Sequence, residues 1–287
     1  MRKEDRMKIL VTGITGQLGH DVMKALTARG HEAVGASRKE FSLTDFDAAR
    51  AFVEHVHPDA IIHCAAYTAV DKAEDEQNQC MIVNGGATRN LAAVARDIGA
   101  KFVYISTDYV FPGIGEEAYD VDAPKGPTNA YGLSKLAGEE AVQELLTKYF
   151  IVRISWVFGV NGKNFIKTML KLAETHDKLT VVDDQIGSPT YTADLAELLA
   201  DMVETEKYGV YHATNEGFCS WADFAKEIFR QAGKDVTVTP VPSTEYPTKA
   251  ARPKNSRMSK ASLDRAGFHH LPTWQDALSR YLKELQH

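Results

Sequence analysis

Tyr131 and Lys135 stand four residues apart in the run Tyr131-Gly-Leu-Ser-Lys135, a spacing that puts both side chains on one face of a helix. A phenol titrates near ~10 in water, and an ammonium held close to it favours the phenolate, bringing the hydroxyl nearer to useful acidity at neutral pH. In such a pair Tyr131 can protonate a carbonyl oxygen as hydride reaches the carbon, while Lys135 tunes it and can hold the ribose hydroxyls of a hydride-carrying cofactor. Ser106-Thr107-Asp108 supplies complementary groups. Thr107 can donate a hydrogen bond to the same carbonyl oxygen, and Asp108 can accept one from a substrate hydroxyl. Alone, each run reads as an ordinary helix face or turn. As a set they require a fold that brings residues 107, 131 and 135 to one edge.

The hydropathy pattern provides that fold. Ile9, Leu10 and Val11 read as a strand, and Leu18, Val22, Ala25 and Leu26 recur at helical spacing until Gly30. Strand 32–36, helix 45–56 and strand 60–63 follow. A helix face of Leu91, Val94, Ala95 and Ile98 stops at Gly99, ahead of strand 101–105, helix 130–146 and strand 150–154. Alternation of this regularity needs right-handed crossovers, so the fold class is α/β: a doubly wound parallel sheet, Rossmann-like, with a smaller mixed carboxy-terminal substrate domain. Residues 106–108 then fall at the carboxyl edge of the sheet, where such folds keep their chemistry. Residues 7–154 with about 188–214 are expected to form the dinucleotide-binding domain, and about 155–187 with 215–287 the substrate domain. Helices are expected there over 165–174, 193–204, 221–231 and 274–285, with Ser220 and Thr273 as their caps.

Gly13-Ile-Thr-Gly16-Gln-Leu-Gly19 lies between the first strand and the first helix, where backbone amides can face a pyrophosphate and side chains would block it. Its G-x-x-G-x-x-G spacing departs from the G-x-G-x-x-G fingerprint, and its position after the first strand carries the reading. After the second strand, Ser37-Arg38-Lys39 replaces the usual ribose-binding acid. Arg38 offers charge to a 2′-phosphate, which favours NADPH over NADH, while Glu40 and Asp45 lie close enough to meet the adenosine. Ala65-Ala66-Tyr67 ends the third strand where a cofactor would lie.

Composition sets the outer limits. A chain of 287 residues, 44% hydrophobic and 25% charged, can bury a sizeable core. Its 39 acidic and 33 basic residues give a net charge of −6, which argues against a general nucleic-acid binder. The three cysteines, Cys64, Cys80 and Cys219, have no metal or redox spacing. No run is long and apolar enough for a membrane span or has a signal-peptide pattern, so a cytoplasmic location is expected. Residues 1–6 read as a frayed extension ahead of Met7.

The glycine turn, Ser106 through Phe111, and Tyr131-x-x-x-Lys135 resemble the extended short-chain dehydrogenase/reductases. Within them, five blocks resemble the dTDP-4-dehydrorhamnose reductase family: Ala66 through Glu74, Ser106 through Gly113, Tyr131-Gly-x-x-Lys135-x-x-Gly138-Glu139, Arg153-x-Ser155-Trp156-Val157, and Asp184-Gln185-x-Gly187-x-Pro189-Thr190. The resemblance implies reduction of the C4 ketone of dTDP-4-dehydro-β-L-rhamnose. It assigns Thr107, Tyr131 and Lys135 to catalysis, and Asp108 and Trp156, with Thr107 and Tyr131, to the sugar. It sets Gln17 and Leu18 at the pyrophosphate and Ala65, Ala66 and Tyr67 along the cofactor. Arg252-Pro253-Lys254-Asn255-Ser256-Arg257 is similar to the family's R-P-x-x-S stretch, whose charges suit a nucleotide diphosphate. Some members dimerise through Mg²⁺ held by glutamates. Asp21 stands at one such position without matched companions, so no metal is expected, and the chain is read as a monomer or homodimer. Two other readings keep the fold: a reductase of another nucleotide-linked keto sugar, and a reductase-like regulatory subunit without catalysis.

Overall fold

The computed structural model describes residues 6–286; the expected amino-terminal extension lies, apart from Arg6, outside them. Six parallel strands form the main sheet: β1 (Lys8–Thr12), β2 (Glu32–Ala36), β3 (Ala60–His63), β4 (Lys101–Thr107), β5 (Tyr149–Ile154) and β6 (Gly209–His212). Their spatial order is β6-β5-β4-β3-β1-β2. The winding reverses between β1 and β3, and a ligand crevice opens at the carboxyl ends of strands where that happens.

Helices cover both faces because the strands alternate their apolar side chains between them. Ile9 and Val11 pack with α1 (Gln17–Ala28) and α6 (Thr192–Val203) in one core. Leu10, Ile61, Phe102 and Tyr104 pack with α2 (Phe46–Val56), α3 (Ala87–Ile98) and α4 (Ala130–Leu145) in another. A third core gathers Phe158, Tyr191, Phe224, Trp274 and Tyr281 with α5 (Phe165–Leu172), α7 (Trp221–Ala232) and α8 (Trp274–Glu284). The expected strands and helices form, with ends displaced by at most two residues. Ser220 closes a capping box with Asp223, and Thr273 accepts from the Asp276 amide. The described residues contain no helix long and apolar enough to cross a membrane.

Two elements depart from the pattern read in the sequence. The four-residue β6 is too short to show a period, and pairing with β5 alone makes it a strand. Ahead of α3, helix Gln77–Met81 runs into a single π-turn, Ile82–Gly86, which turns Asn84 inward. The Asn84 amide nitrogen donates to the Tyr67 carbonyl (3.0 Å) and to Ser134 Oγ of α4 (2.9 Å), and its Oδ1 accepts the Tyr67 amide (2.8 Å).

Gly138 lets α4 approach β4. A Cβ there would overlap the Tyr104 ring and stand 2.7 Å from the Asn84 carbonyl oxygen. Glycine to alanine inside a helix ordinarily stabilises by roughly 1 kcal/mol, but here the overlap decides the sign. Gly138→Ala should destabilise the chain by about 1–3 kcal/mol in urea denaturation; a gain in stability would contradict this packing.

Candidate active site

β4 ends at Thr107, and Asp108 opens the 3₁₀ turn Asp108–Val110 at the carboxyl edge. Thr107 Oγ1 donates to Asp108 Oδ1 (2.9 Å) and accepts the Tyr109 amide (3.2 Å). Ser256 Oγ donates to Asp108 Oδ2 (2.5 Å). The Asp108 carboxyl is buried, and burial raises its pKa to about 6 against the opposing hydrogen bonds from Ser256 and Thr107.

Asn129 caps α4 by accepting the Gly132 amide, which fixes Tyr131 in the first turn. Tyr109 packs edge-on against the Tyr131 ring at 5.4 Å between centroids. Burial pushes the Tyr131 phenol well above its ordinary range and the Asp108 charge adds to this, while the Thr107 hydroxyl pulls it down. One turn along, the Lys135 amine donates to the Ile105 carbonyl (2.6 Å) and lies 4.1 Å from the centroid of the Tyr104 ring. Burial lowers its pKa to about 7, opposed chiefly by Glu139. The structure thus departs from the pairing read in the sequence. Lys135 is turned to β4 rather than to the phenol, its amine donating to the Ile105 carbonyl.

The glycine turn fits a cofactor cradle. Gly13 has φ +72°, and a Cβ there would stand 2.7 Å from the Ala65 backbone, so the ends of β1 and β3 touch only because the side chain is missing. Gly16 closes the turn on the Gly13 carbonyl (3.0 Å), Gly19 packs against that same carbonyl, and the Gly13 amide reaches the Ala36 carbonyl (2.9 Å), which sets the turn beside the end of β2. Arg38 is exposed just beyond. Leu18 is buried in the core, leaving only its backbone to face a ligand. The Gln17 side chain accepts from the Gly159 amide (2.9 Å) and Asn164 (3.0 Å), tying the turn to the third core. Asp45 is the α2 N-cap, accepting the Ala48 amide (3.0 Å). The Tyr67 hydroxyl donates to Glu76 (2.8 Å). Asp21 is buried and accepts from Thr192 (2.5 Å), and the described residues hold no cluster of three or more potential metal ligands.

A cleft of about 330 Å³ adjoins Ser256 and Tyr109, walled by Trp156, Phe165, Trp221 and Arg252. Trp156 adopts φ +50° and stacks on Trp221 at 3.8 Å, a strained backbone held by packing. Arg252 donates to Asp71 (2.6 Å) and to the Tyr109 hydroxyl (3.1 Å). Trp221 and Asn84 had no sequence signal as site residues, since each reaches the site through a contact distant in the chain.

Because the folded Asp108 pKa lies above its unfolded value, the stability it contributes is complete below about pH 4 and lost as pH rises through about 6. Between those limits the wild type should lose on the order of 3 kcal/mol relative to Asp108→Asn. Parallel pH dependences in chemical denaturation would refute the buried carboxyl.

The RmlD substrate binding domain model matches residues 7–287. The spore coat polysaccharide biosynthesis protein SpsK of Bacillus subtilis is 41% identical over 277 residues, covering 96% of this chain and 97% of that protein. A dTDP-4-dehydrorhamnose reductase of Streptomyces griseus is 41% identical over 281 residues, covering 96% and 92%. The crystal structure of dTDP-4-dehydrorhamnose reductase from Bacillus anthracis in complex with NADP superposes with a TM-score of 0.95 at 43% identity, over 97% of this chain and 99% of that one. The chain belongs to the dTDP-4-dehydrorhamnose reductase family, the extended short-chain dehydrogenase/reductases that carry the RmlD substrate binding domain.

Proposed function

We propose that the chain reduces the C4 ketone of dTDP-4-dehydro-β-L-rhamnose to dTDP-L-rhamnose with NADPH. The observation that carries this is the packing of Thr107, Asp108, Tyr131 and Lys135 around one strand end, on the sheet edge that also holds the Gly13 cradle. The relative with NADP bound, 43% identical to this chain, supports the choice of cofactor.

Bound NADPH supplies the hydride that C4 receives. The amides of the turn from Gly13 to Gly19, including those of Gln17 and Leu18, hold the pyrophosphate, Ala65, Ala66 and Tyr67 line the cofactor, and Arg38 meets the 2′-phosphate; Asp45, as a helix cap, is the least committed of this group. Thr107 and Tyr131 hydrogen-bond the ketone oxygen. Tyr131 releases its phenolic proton to that oxygen as C4 is reduced, so the ketone becomes an alcohol and the phenolate recovers a proton from solvent. A phenol whose pKa is held high by burial stays protonated until charge develops on the oxygen beside it. Lys135, released from Ile105, holds the nicotinamide ribose and steadies the phenolate. Asp108 accepts from a sugar hydroxyl and Trp156 packs on the sugar. The cleft beside Arg252 takes the dTDP moiety, whose binding energy orients the reacting carbon. The proposal places the chain in the cytoplasm, consistent with its three free thiols.

Coupled oxidation of NADPH tests the reading directly. Tyr131→Phe should lose on the order of 100-fold or more in kcat while retaining NADPH affinity; an unchanged kcat would reject Tyr131 as the proton donor. Faster turnover of a GDP-linked keto sugar would reject the substrate, and NADPH binding without turnover on any keto sugar would favour the regulatory-subunit reading. Arg38→Ala should weaken NADPH binding by roughly tenfold and leave NADH binding unchanged; equal losses for both would remove Arg38 from the 2′-phosphate.

A further inference from the structure

Behind Thr107 and Lys135 lies an ion pair that the reaction described above leaves unused. Glu139 follows Lys135 by one turn of α4, and its side chain and that of Arg153 on β5 are each 2% exposed. The pair is a fork: Arg153 Nε donates to Glu139 Oε1 (2.8 Å) and Nη2 to Oε2 (2.7 Å). Ser106 Oγ, from the residue before Thr107, donates to Oε1 (2.5 Å). The third Arg153 nitrogen donates to the Val121 carbonyl (2.8 Å) and lies 3.3 Å from His212 Nε2. Burial and the Arg153 charge hold His212 neutral.

A fully buried ion pair is weak support for stability, because apolar residues of the same volume would fill the space as well or better. Its charge and its placement give it another role. Through Ser106 it joins β4, which ends at Thr107 just ahead of Asp108, to α4, which carries Tyr131 and Lys135, and Arg153 adds β5. It also sets a carboxylate near an amine that burial would otherwise neutralise. Of the groups around Lys135, Glu139 is the strongest in favour of its charged form. Cys80 from helix 77–81 and Cys64 beyond β3 carry no charge at neutral pH, because burial raises both thiols, Cys64 to about 12. The Tyr104 ring lies beneath the amine, and His63 at the end of β3, its own pKa lowered to about 3 by burial and by Lys135, adds no charge at neutral pH.

We propose that Glu139 is a positioning residue of the reductase: through Ser106 its carboxylate locks the end of β4 onto α4, and it supplies the negative charge under which Lys135 remains an ammonium. This rests on the reductase reading given above. Since Lys135 acts as the ammonium, activity falls as pH rises through its pKa. Removing the Glu139 charge lowers that pKa and moves the fall to lower pH.

Glu139→Gln keeps the shape and an acceptor for Ser106. In the holoenzyme its kcat at neutral pH should fall by on the order of tenfold or more, the alkaline limb of kcat should move to lower pH by about one unit, and the KM for NADPH should change less than kcat. Should that variant not fold, Ser106→Ala leaves the ion pair intact and should lower kcat several-fold with the alkaline limb at its wild-type position. A folded Glu139→Gln enzyme with the wild-type limb, or a Ser106→Ala enzyme with wild-type kcat, overturns the proposal. Nitrogen NMR titration of the lysine side chains reads the same displacement without turnover. If the wild type turns over no keto sugar, the reductase reading fails, while a Lys135 titration unmoved by Glu139→Gln still overturns this one.

Discussion

Asp108, Lys135, Glu139 and Arg153 are all buried beneath one sheet edge, and the site is built around giving each a partner. An isolated charge there would cost several kcal/mol or be neutralised. Glu139 and Arg153 satisfy each other in a fork, Lys135 lies on a carbonyl and an aromatic face, and Asp108 takes two hydroxyls. Those partners come from β4, β5, α4 and the segment around Ser256. Keeping the charges satisfied therefore also fixes the relative positions of the elements that carry the proposed reacting groups. The low polarity that makes partners obligatory is also what holds the phenol protonated and leaves the lysine near neutrality.

The carboxy-terminal segment 246–258 ties the third core to this edge. Asn129 donates to the Ala251 carbonyl, Asp71 takes both Arg252 and the Ala250 amide, and the Ser256 amide reaches Ile186. Ser256 bonds Asp108, and Gly187 packs against both Ser256 and Trp156. A sugar held between Trp156 and Thr107 would thus meet walls that are already linked to one another. The proposed substrate contacts and reacting groups belong to one bonded framework, which limits the reorganisation left for binding to drive.

Much of this was legible in the sequence because local chemistry dictates it. Short apolar runs and period-3.6 patterns mark β1 through β5 and the main helices, and Ser220 and Thr273 mark helix starts through their own side chains. The Gly13 turn was recognisable by its place after β1. What escaped depends on contacts between distant residues. The strand β6 exists only through its pairing with β5, and the π-turn at Asn84 shows no local signature. The runs that contain Ser256 and Tyr109 stood out in the sequence, but their pairing with Asp108 and Arg252, each across more than a hundred residues, did not. The direction of the Lys135 amine escaped for a different reason. Spacing of four places two side chains on one face, but it does not decide which of several acceptors a flexible amine chooses, and here the nearest is a strand carbonyl.

The central claim is that the site is assembled before ligands arrive, and a crystal structure of the chain with NADP and dTDP bound tests it most directly. The account predicts that the backbone of 105–109 and 130–139 keeps its present positions and the Glu139–Arg153 fork stays closed. The Thr107 and Tyr131 hydroxyls should face the nicotinamide, and only the Lys135 amine should move, from Ile105 to the ribose. A nicotinamide on the far side of β4, or an α4 that shifts and opens the fork to reach it, would contradict it.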